Sequence, residues 1–226
     1  VPDALRCPAD LPLSQVPAYE NGEIEVQDIS SQLLLQLIHP QPEGSWLDAC
    51  AGAGGKTLQL AKLLGANGRV TAYDPRPKAL DELAIRSRRA GLKNISLLRS
   101  KPSEGSYDGV LVDAPCSGSG TWRRHPFLMR QTREKDVFQR SETQANILDL
   151  YSQRVALGGA LVYCTCSLSR FENEIVVENF LESHPSFEAC PLAKNFDLEE
   201  SGRGITIQPA HLDGDGLYIA TLKRKR

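Results

Sequence analysis

Two cysteines in this chain stand where covalent chemistry could be built. Cys116, in Asp113-Ala114-Pro115-Cys116, and Cys166, in Thr165-Cys166-Ser167, each follow an apolar run with the character of a β-strand, downstream of a glycine-rich turn. Thiolate is the most nucleophilic side chain available near neutral pH, so two thiols at the rim of an α/β sheet can attack an electrophilic ring and then assist its release. The turn, Cys50-Ala51-Gly52-Ala53-Gly54-Gly55-Lys56-Thr57, falls one residue short of two phosphate-binding patterns. A P-loop needs glycine where Cys50 stands, and a dinucleotide fingerprint needs glycine where Thr57 stands. What remains is a looser glycine turn whose backbone can approach an uncharged or zwitterionic ligand, with helix N–H groups facing it. Asp74, about 20 residues beyond the turn at the end of the next expected strand, is placed to accept hydrogen bonds from ribose hydroxyls. The alternative for Asp74, which precedes Pro75, is a cap on the following helix. Turn and carboxylate together favour an adenosine-containing cofactor.

The elements that must position these groups alternate. Residues 1–26, with four prolines, read as an extended lead-in. A helix starts near Asp28 or Ser30, carried by Ile29, Leu33 and Leu37, and ends at His39-Pro40. Residues 46–50 form a short buried strand, 51–55 the glycine turn and 56–64 a helix. Strand 70–74 and helix 78–90 follow, with Gly91 as a left-handed cap. Strands are expected at 95–98 and 110–112, a helix at 141–156, a turn at Gly158-Gly159, a strand at 161–163 and a helix at 172–181. The tail differs, with strands at 205–207 and 217–222 bracketing a turn at residues 213–216. Strands alternating with helices imply a mostly parallel, doubly wound α/β sheet with an antiparallel C-terminal strand and ligands at the carboxyl ends.

Composition sets the outer bounds. A chain of 226 residues, 41% hydrophobic, can bury one sizeable core. The formal charge of −2 lacks the global basicity of many nucleic-acid binders, so any such contact must come from local patches. Candidates are Arg86, Arg88 and Arg89, then Arg123-Arg124-His125, Arg130 with Arg133, and the Lys223 to Arg226 tail. Six cysteines show neither a disulfide framework nor metal-site spacing, and no apolar run reaches the length of a spanning helix. These features point to a soluble, cytoplasmic, metal-free monomer. Cys7, Cys164 and Cys190 read as core fillers, while Cys50 occupies a loop position where its backbone matters more than its sulfur. Val1 in place of an initiator Met suggests a longer protein with a further N-terminal module, leaving 27–226 as the catalytic domain.

At this point the chain resembles the Sun-type RNA (cytosine-5)-methyltransferases, a family that includes bacterial 16S rRNA enzymes. The resemblance rests on residues 26–32, on Leu47-Asp48-Ala49-Cys50 through Thr57, on Asp113 to Gly120 with Arg123-Arg124-His125-Pro126, on Thr165-Cys166-Ser167 with Glu172-Asn173-Glu174, and on Asp215-Gly216-Leu217-Tyr218. It implies a Rossmann-like fold and S-adenosyl-L-methionine as cofactor, held by residues 50–56, Asp74 and Asp113. It also implies Cys166 as the nucleophile toward C6 of cytosine, Cys116 as the group that releases the adduct, and Asp113 at the amidine edge of the base. Lys56 would anchor the loop or supply positive charge. The substrate would be an unpaired or flipped base in RNA, ribosomal rather than transfer RNA, with Arg123, Arg124 and His125 on its phosphates. The family's acidic residue after the third strand is replaced by Leu98-Arg99-Ser100-Lys101-Pro102, with Glu104 the nearest carboxylate. Three other readings compete: a methyltransferase-like module that binds RNA or protein without turnover, an enzyme in which Cys116 attacks, and a P-loop NTPase.

Overall fold

The computed structural model describes residues 1–8, 10–103, 105–192 and 198–226, so Glu104 lies outside the described residues. The helices are α1 (Pro17–Glu20), α2 (Ile29–Ile38), α3 (Gly55–Leu64), α4 (Pro77–Arg89), α5 (Pro126–Gln131), α6 (Glu134–Ser152), α7 (Glu174–Ser183) and α8 (Pro209–Leu212). The strands are β1 (Ser45–Asp48), β2 (Arg69–Tyr73), β3 (Ile95–Leu98), β4 (Tyr107–Asp113), β5 (Val155–Thr165), β6 (Phe187–Cys190), β7 (Glu199–Ser201), β8 (Gly204–Ile207) and β9 (Leu217–Arg224).

They form one sheet in the order β3-β2-β1-β4-β5-β9-β8-β7. The first five strands are parallel. From β5 onward the pairing is antiparallel, and β9 is flanked on its outer side by β8 along one half and β6 along the other. The expected antiparallel C-terminal strand is therefore present, extended by three short strands at the same edge. Strand order reverses between β1 and β4, and a ligand crevice belongs outside the carboxyl ends there.

Alternation along the central strands divides the core. Leu111, Val162 and Cys164 face α2 and α3, joining Leu33, Leu34, Leu60 and Leu64. Val110, Val112, Leu161 and Tyr163 face the other side, against Leu148, Tyr151, Val177 and Phe180 of α6 and α7. Local sequence explains the helix ends. Asp28 accepts from the N–H groups of Ser30 at 2.9 Å and Ser31 at 3.3 Å, and so caps α2. Pro77 opens α4, and Gly91 follows its end with φ +66°.

Three expectations need correction. The helix expected at 141–156 begins earlier, at Glu134, where the Asp136 carboxylate accepts from the Arg133 N–H at 3.0 Å, and it stops at Ser152. Gly158-Gly159 does not leave the sheet; it lies in an irregularity of β5, because Tyr107 pairs with Val155 but Gly109 pairs with Ala160. Glycine serves such a bulge as well as a turn: Gly158 has φ +79°, and a Cβ on Gly159 would lie 2.9 Å from the Asp108 carbonyl. The lead-in carries short helical turns at 13–15 and in α1 rather than a purely extended run. It is tied to α4 by Glu25, which pairs with Arg86 and Arg89, and by Tyr19, whose ring lies 4.0 Å from the Arg89 guanidinium. Among the described residues no helix is long and apolar enough to cross a membrane.

Candidate active site

Parallel pairing sets the two thiols side by side. Asp113 at the end of β4 is in register with Cys164 near the end of β5, so the loops that follow emerge together, and the Sγ atoms of Cys116 and Cys166 lie 3.2 Å apart. All six cysteines are free, and Cys7 is exposed rather than buried as expected.

The thiol gap is framed by a residue that the sequence reading left without a role. Glu172 is fully buried. Its carboxylate accepts from the Ser117 N–H at 2.8 Å, the Ser117 hydroxyl at 2.5 Å, the Ser167 hydroxyl at 2.5 Å and the Gln144 amide at 3.0 Å. One carboxylate therefore binds the residue after each cysteine. Asn173 adds a second tie, accepting from Thr165 at 2.6 Å and donating to the Ser167 carbonyl at 2.9 Å. Such a network, fully donated to and shielded from water, fixes geometry strongly. Its signal in the sequence was the Glu172-Asn173-Glu174 run, whose spacing from the thiols gave no hint of contact.

The thiols differ electrostatically. A hydrogen bond donated by Cys116 lowers the pKa of Cys166, working against burial. The same bond, followed by burial, pushes Cys116 well above its ordinary range. Cys166 is thus the more readily ionised of the two thiols. Cys164, fully buried, is raised by burial and is no nucleophile; it donates to Asp113 at 3.6 Å.

Both thiols line a cavity of about 310 Å³, together with residues 50–56, Asp48, Arg76 and Asp113. All the expected cofactor residues meet here except Asp74. That carboxylate is buried, accepting from the Gly52 N–H at 2.9 Å and from the Arg76 backbone, Nε and Nη2 at 2.9, 2.8 and 2.9 Å. Burial would raise its pKa, but these donors hold it below the usual carboxylate range. Arg76, not Asp74, faces the cavity, so a ribose could reach Asp74 only if the mostly exposed Arg76 side chain moves.

The turn needs its glycines. Gly54 has φ +91°, and a Cβ there would sit 2.1 Å from Leu83 Cδ1. Burial pushes the Cys50 thiol far up, which leaves the backbone as its contribution. Lys56 reaches across to Asp113 at 2.8 Å and Ser31 at 3.3 Å. Burial lowers the pKa of its ammonium, but Asp113 reverses the balance and raises it above the usual lysine range. Asp48 was overlooked because it ends an apolar strand. Its Oδ2 accepts from Thr57 at 2.7 Å, its Oδ1 has no partner among the described residues, and burial pushes its pKa up to about 7.

Arg123, Arg124 and His125 do not line this cavity. Arg123 pairs with the Asp213 carboxylate and donates to its carbonyl at 2.7 Å; Arg124 grips Asp215 at 2.6 and 2.8 Å and meets His125 at 3.1 Å. Instead of standing free for phosphates, the two arginines brace the C-terminal turn against the thiol loops. The brace is completed by the Gly120 N–H on the Cys166 carbonyl at 2.9 Å and the Gly216 N–H on the Gly120 carbonyl at 2.8 Å.

Comparison with known proteins gives the chain its relatives. A family model described as 16S rRNA methyltransferase RsmB/F matches residues 35–223. The probable ribosomal RNA small subunit methyltransferase B of Synechocystis sp. is 34% identical over 223 residues, covering 94% of this chain and 50% of that protein. The Bacillus subtilis protein of the same description is 34% identical over 220 residues, covering 92% and 49%. The crystal structure of NSun6 from Pyrococcus horikoshii with SFG superposes with a TM-score of 0.85 at 25% identity, covering 94% of this chain and 56% of that one. The chain spans about half the length of the curated relatives it matches.

Proposed function

The chain belongs to the RsmB/F family of 16S rRNA methyltransferases and has the Rossmann-like fold of S-adenosylmethionine-dependent methyltransferases; from that premise we propose that it methylates C5 of a cytosine in ribosomal RNA, with S-adenosyl-L-methionine as donor. The observation that carries the reading is the pair of thiols 3.2 Å apart at the glycine-turn cavity, Cys166 lowered and Cys116 raised by the hydrogen bond between them.

The residues of the cavity fit the donor. Asp48 Oδ1 is a buried acceptor without a partner among the described residues, suited to a cationic ammonium group, and Gly52 to Gly54 line the same cavity. When bound, the donor supplies an electrophilic methyl group. Cytosine C5 is a poor nucleophile, so the Cys166 thiolate adds to C6 and pushes electron density onto C5. Asp113, which accepts from Lys56, takes the amidine edge of the base in this reading. Once Cys166 is bonded to carbon, the main influence that raises Cys116 is gone. Cys116 then gives its own proton to solvent and takes the one on the methylated C5, C5–C6 regains its double bond, and Cys166 departs as thiolate. We assign this chemistry to residues 27–226 and place it in the cytoplasm, where six unpaired thiols are stable.

RNA carrying 5-fluorocytosine tests the assignment, because fluorine at C5 cannot leave as a proton. With donor present, the wild type and Cys116→Ala should form a covalent adduct and Cys166→Ala none. The reverse pattern would hand the attack to Cys116. Calorimetry showing no donor binding by folded protein would favour a binding module.

A further inference from the structure

We infer that the unpaired RNA strand on one side of the target base leaves the active site through a groove along α5 and α6, its bases stacking on Phe138 and Phe171 and its phosphates held by Arg130, Arg133 and Lys135. The inference rests on the RNA reading above and gives that substrate a path.

Neighbouring residues connect three cavities. Cys116 lines the thiol cavity, and the next residue, Ser117, lines a second cavity of about 410 Å³ whose walls include Leu128, Gln131, Asp136 and Arg140. Gln131 and Asp136 also border a third cavity of about 390 Å³, which is flanked by Arg130, Arg133 and Lys135. The surface beside this path is unusual in two respects. Phe138 and Phe171 pack together with centroids 4.6 Å apart, yet each is about two-fifths exposed, and Phe127 and Met129 are more than half exposed. An exposed aromatic pair, Phe138 on the helix that walls these cavities and Phe171 packed against it, marks a surface that something covers. The cations there are also free: Arg130, Arg133, Lys135, Arg140 and Arg170 form no ion pair among the described residues, whereas neighbouring Arg123 and Arg124 are tied to Asp213 and Asp215. Asp136, the acid inside the groove, already accepts from the Arg133 N–H.

An occupant must therefore bring both negative charge and flat apolar faces. A single strand of RNA offers phosphates at each step and a ring face on each base, the combination that aromatic and cationic grooves bind. A duplex offers the phosphates but hides the faces, and an apolar protein surface would leave the free cations without partners.

Fluorescence anisotropy of the full chain with a short unpaired RNA decides the matter. Phe138→Ala with Phe171→Ala should weaken binding about tenfold or more, since each base–aromatic stack is lost outright. Replacing Arg130, Arg133 and Lys135 by glutamine should lower the slope of log Kd against log salt by about 2, roughly 0.7 for each phosphate contact to a single strand. Lys62→Gln with Lys93→Gln, at a cavity on the opposite edge of the sheet, should change neither quantity. Donor binding by calorimetry should stay at the wild-type value in every variant, because all the substituted side chains are exposed. Groove variants that bind RNA as the wild type does, or a duplex that competes as well as the unpaired strand, would overturn the inference alone. A wild-type protein that binds no RNA would overturn the RNA reading and the inference with it.

Discussion

The turn side and the thiol side of the cavity are built by different means. On the turn side the backbone makes the shape: Gly52 and Gly54 take positive φ, and the side chains that reach the loop backbone come from 22 residues away, Asp74 on Gly52, and from 33, Arg86 on Ala53. On the thiol side, side chains do it across far greater separations. Ser117 meets Glu172 over 55 residues, the two cysteines meet over 50 and Ser119 meets Ser167 over 48. A site that holds a ligand can be made from local backbone geometry, which is rigid but chemically plain. A site that must choose which of two identical side chains keeps a proton needs a network reaching in from several elements.

The sharpest way to break this division is to remove its asymmetry. Cys116→Ala should reduce turnover roughly 10²–10⁴-fold, the usual size of a lost proton transfer. The covalent adduct should accumulate while donor affinity stays unchanged. The same substitution deletes the hydrogen bond that lowers Cys166, so the pH profile of Cys166 alkylation by iodoacetamide should move to higher pH. A profile that stays in place would mean that the Cys166 thiolate owes its stability to something other than its neighbour.

Glu172→Ala comes next. It strands the Ser117 and Ser167 donors and the Gln144 amide in a buried site, a loss on the order of 3–5 kcal/mol, read from the denaturant midpoint. Glu172→Gln, which keeps the shape, should lose less. In variants that remain folded, turnover should fall while donor affinity changes by no more than about twofold. Equal losses in both would show that the two sides do not act separately.

Legibility in the sequence follows the same division. The turn, the helix it opens and the alternation of strands and helices around them were readable because each depends on residues a few positions apart: Asp28 capping α2, Gly54 between β1 and α3, Pro77 and Gly91 bracketing α4. The thiols were readable as a pair only by type and by their positions after strands. Glu172 was not, because nothing local distinguishes a buried four-donor carboxylate from an acid on an exposed helix turn. The ion pairs of Arg123 and Arg124 were hidden for the same reason: their carboxylate partners lie about 90 residues away. Asp74 was placed correctly in the fold, but a reading of strand ends could not foresee that Arg76 would cover it.

Gly54→Ala probes the turn side directly. The substitution demands a left-handed conformation of alanine and drives its Cβ into Leu83, costing about 1–3 kcal/mol and weakening donor binding with it. Cys166 alkylation should keep its wild-type pH profile. Pairing the change with Leu83→Ala removes the contact but not the φ strain, so donor affinity should recover in part. Full recovery would show that the steric contact alone mattered, and no recovery that the backbone alone did.

The smallest effect tests where the two sides meet. Asp48 lies at the end of β1 between the glycine turn and the Lys56–Asp113 pair, and burial raises it to about 7, against about 3.9 in an unfolded chain. A raised carboxylate stabilises the fold while it holds its proton. The free protein should therefore lose stability as pH climbs from about 4 through about 7 and level off above that. A cationic ligand favours the ionised form, so donor affinity should move the opposite way, rising by at most about tenfold per unit toward pH 7 and then flattening. Calorimetry at pH 6 in two buffers of different ionisation enthalpy should register the release of up to one proton on binding, and Asp48→Asn should abolish that release along with the pH dependence. Release that persists in Asp48→Asn would move the coupled proton to the thiol pair, and the ligand-holding side would then be electrically joined to the reactive one.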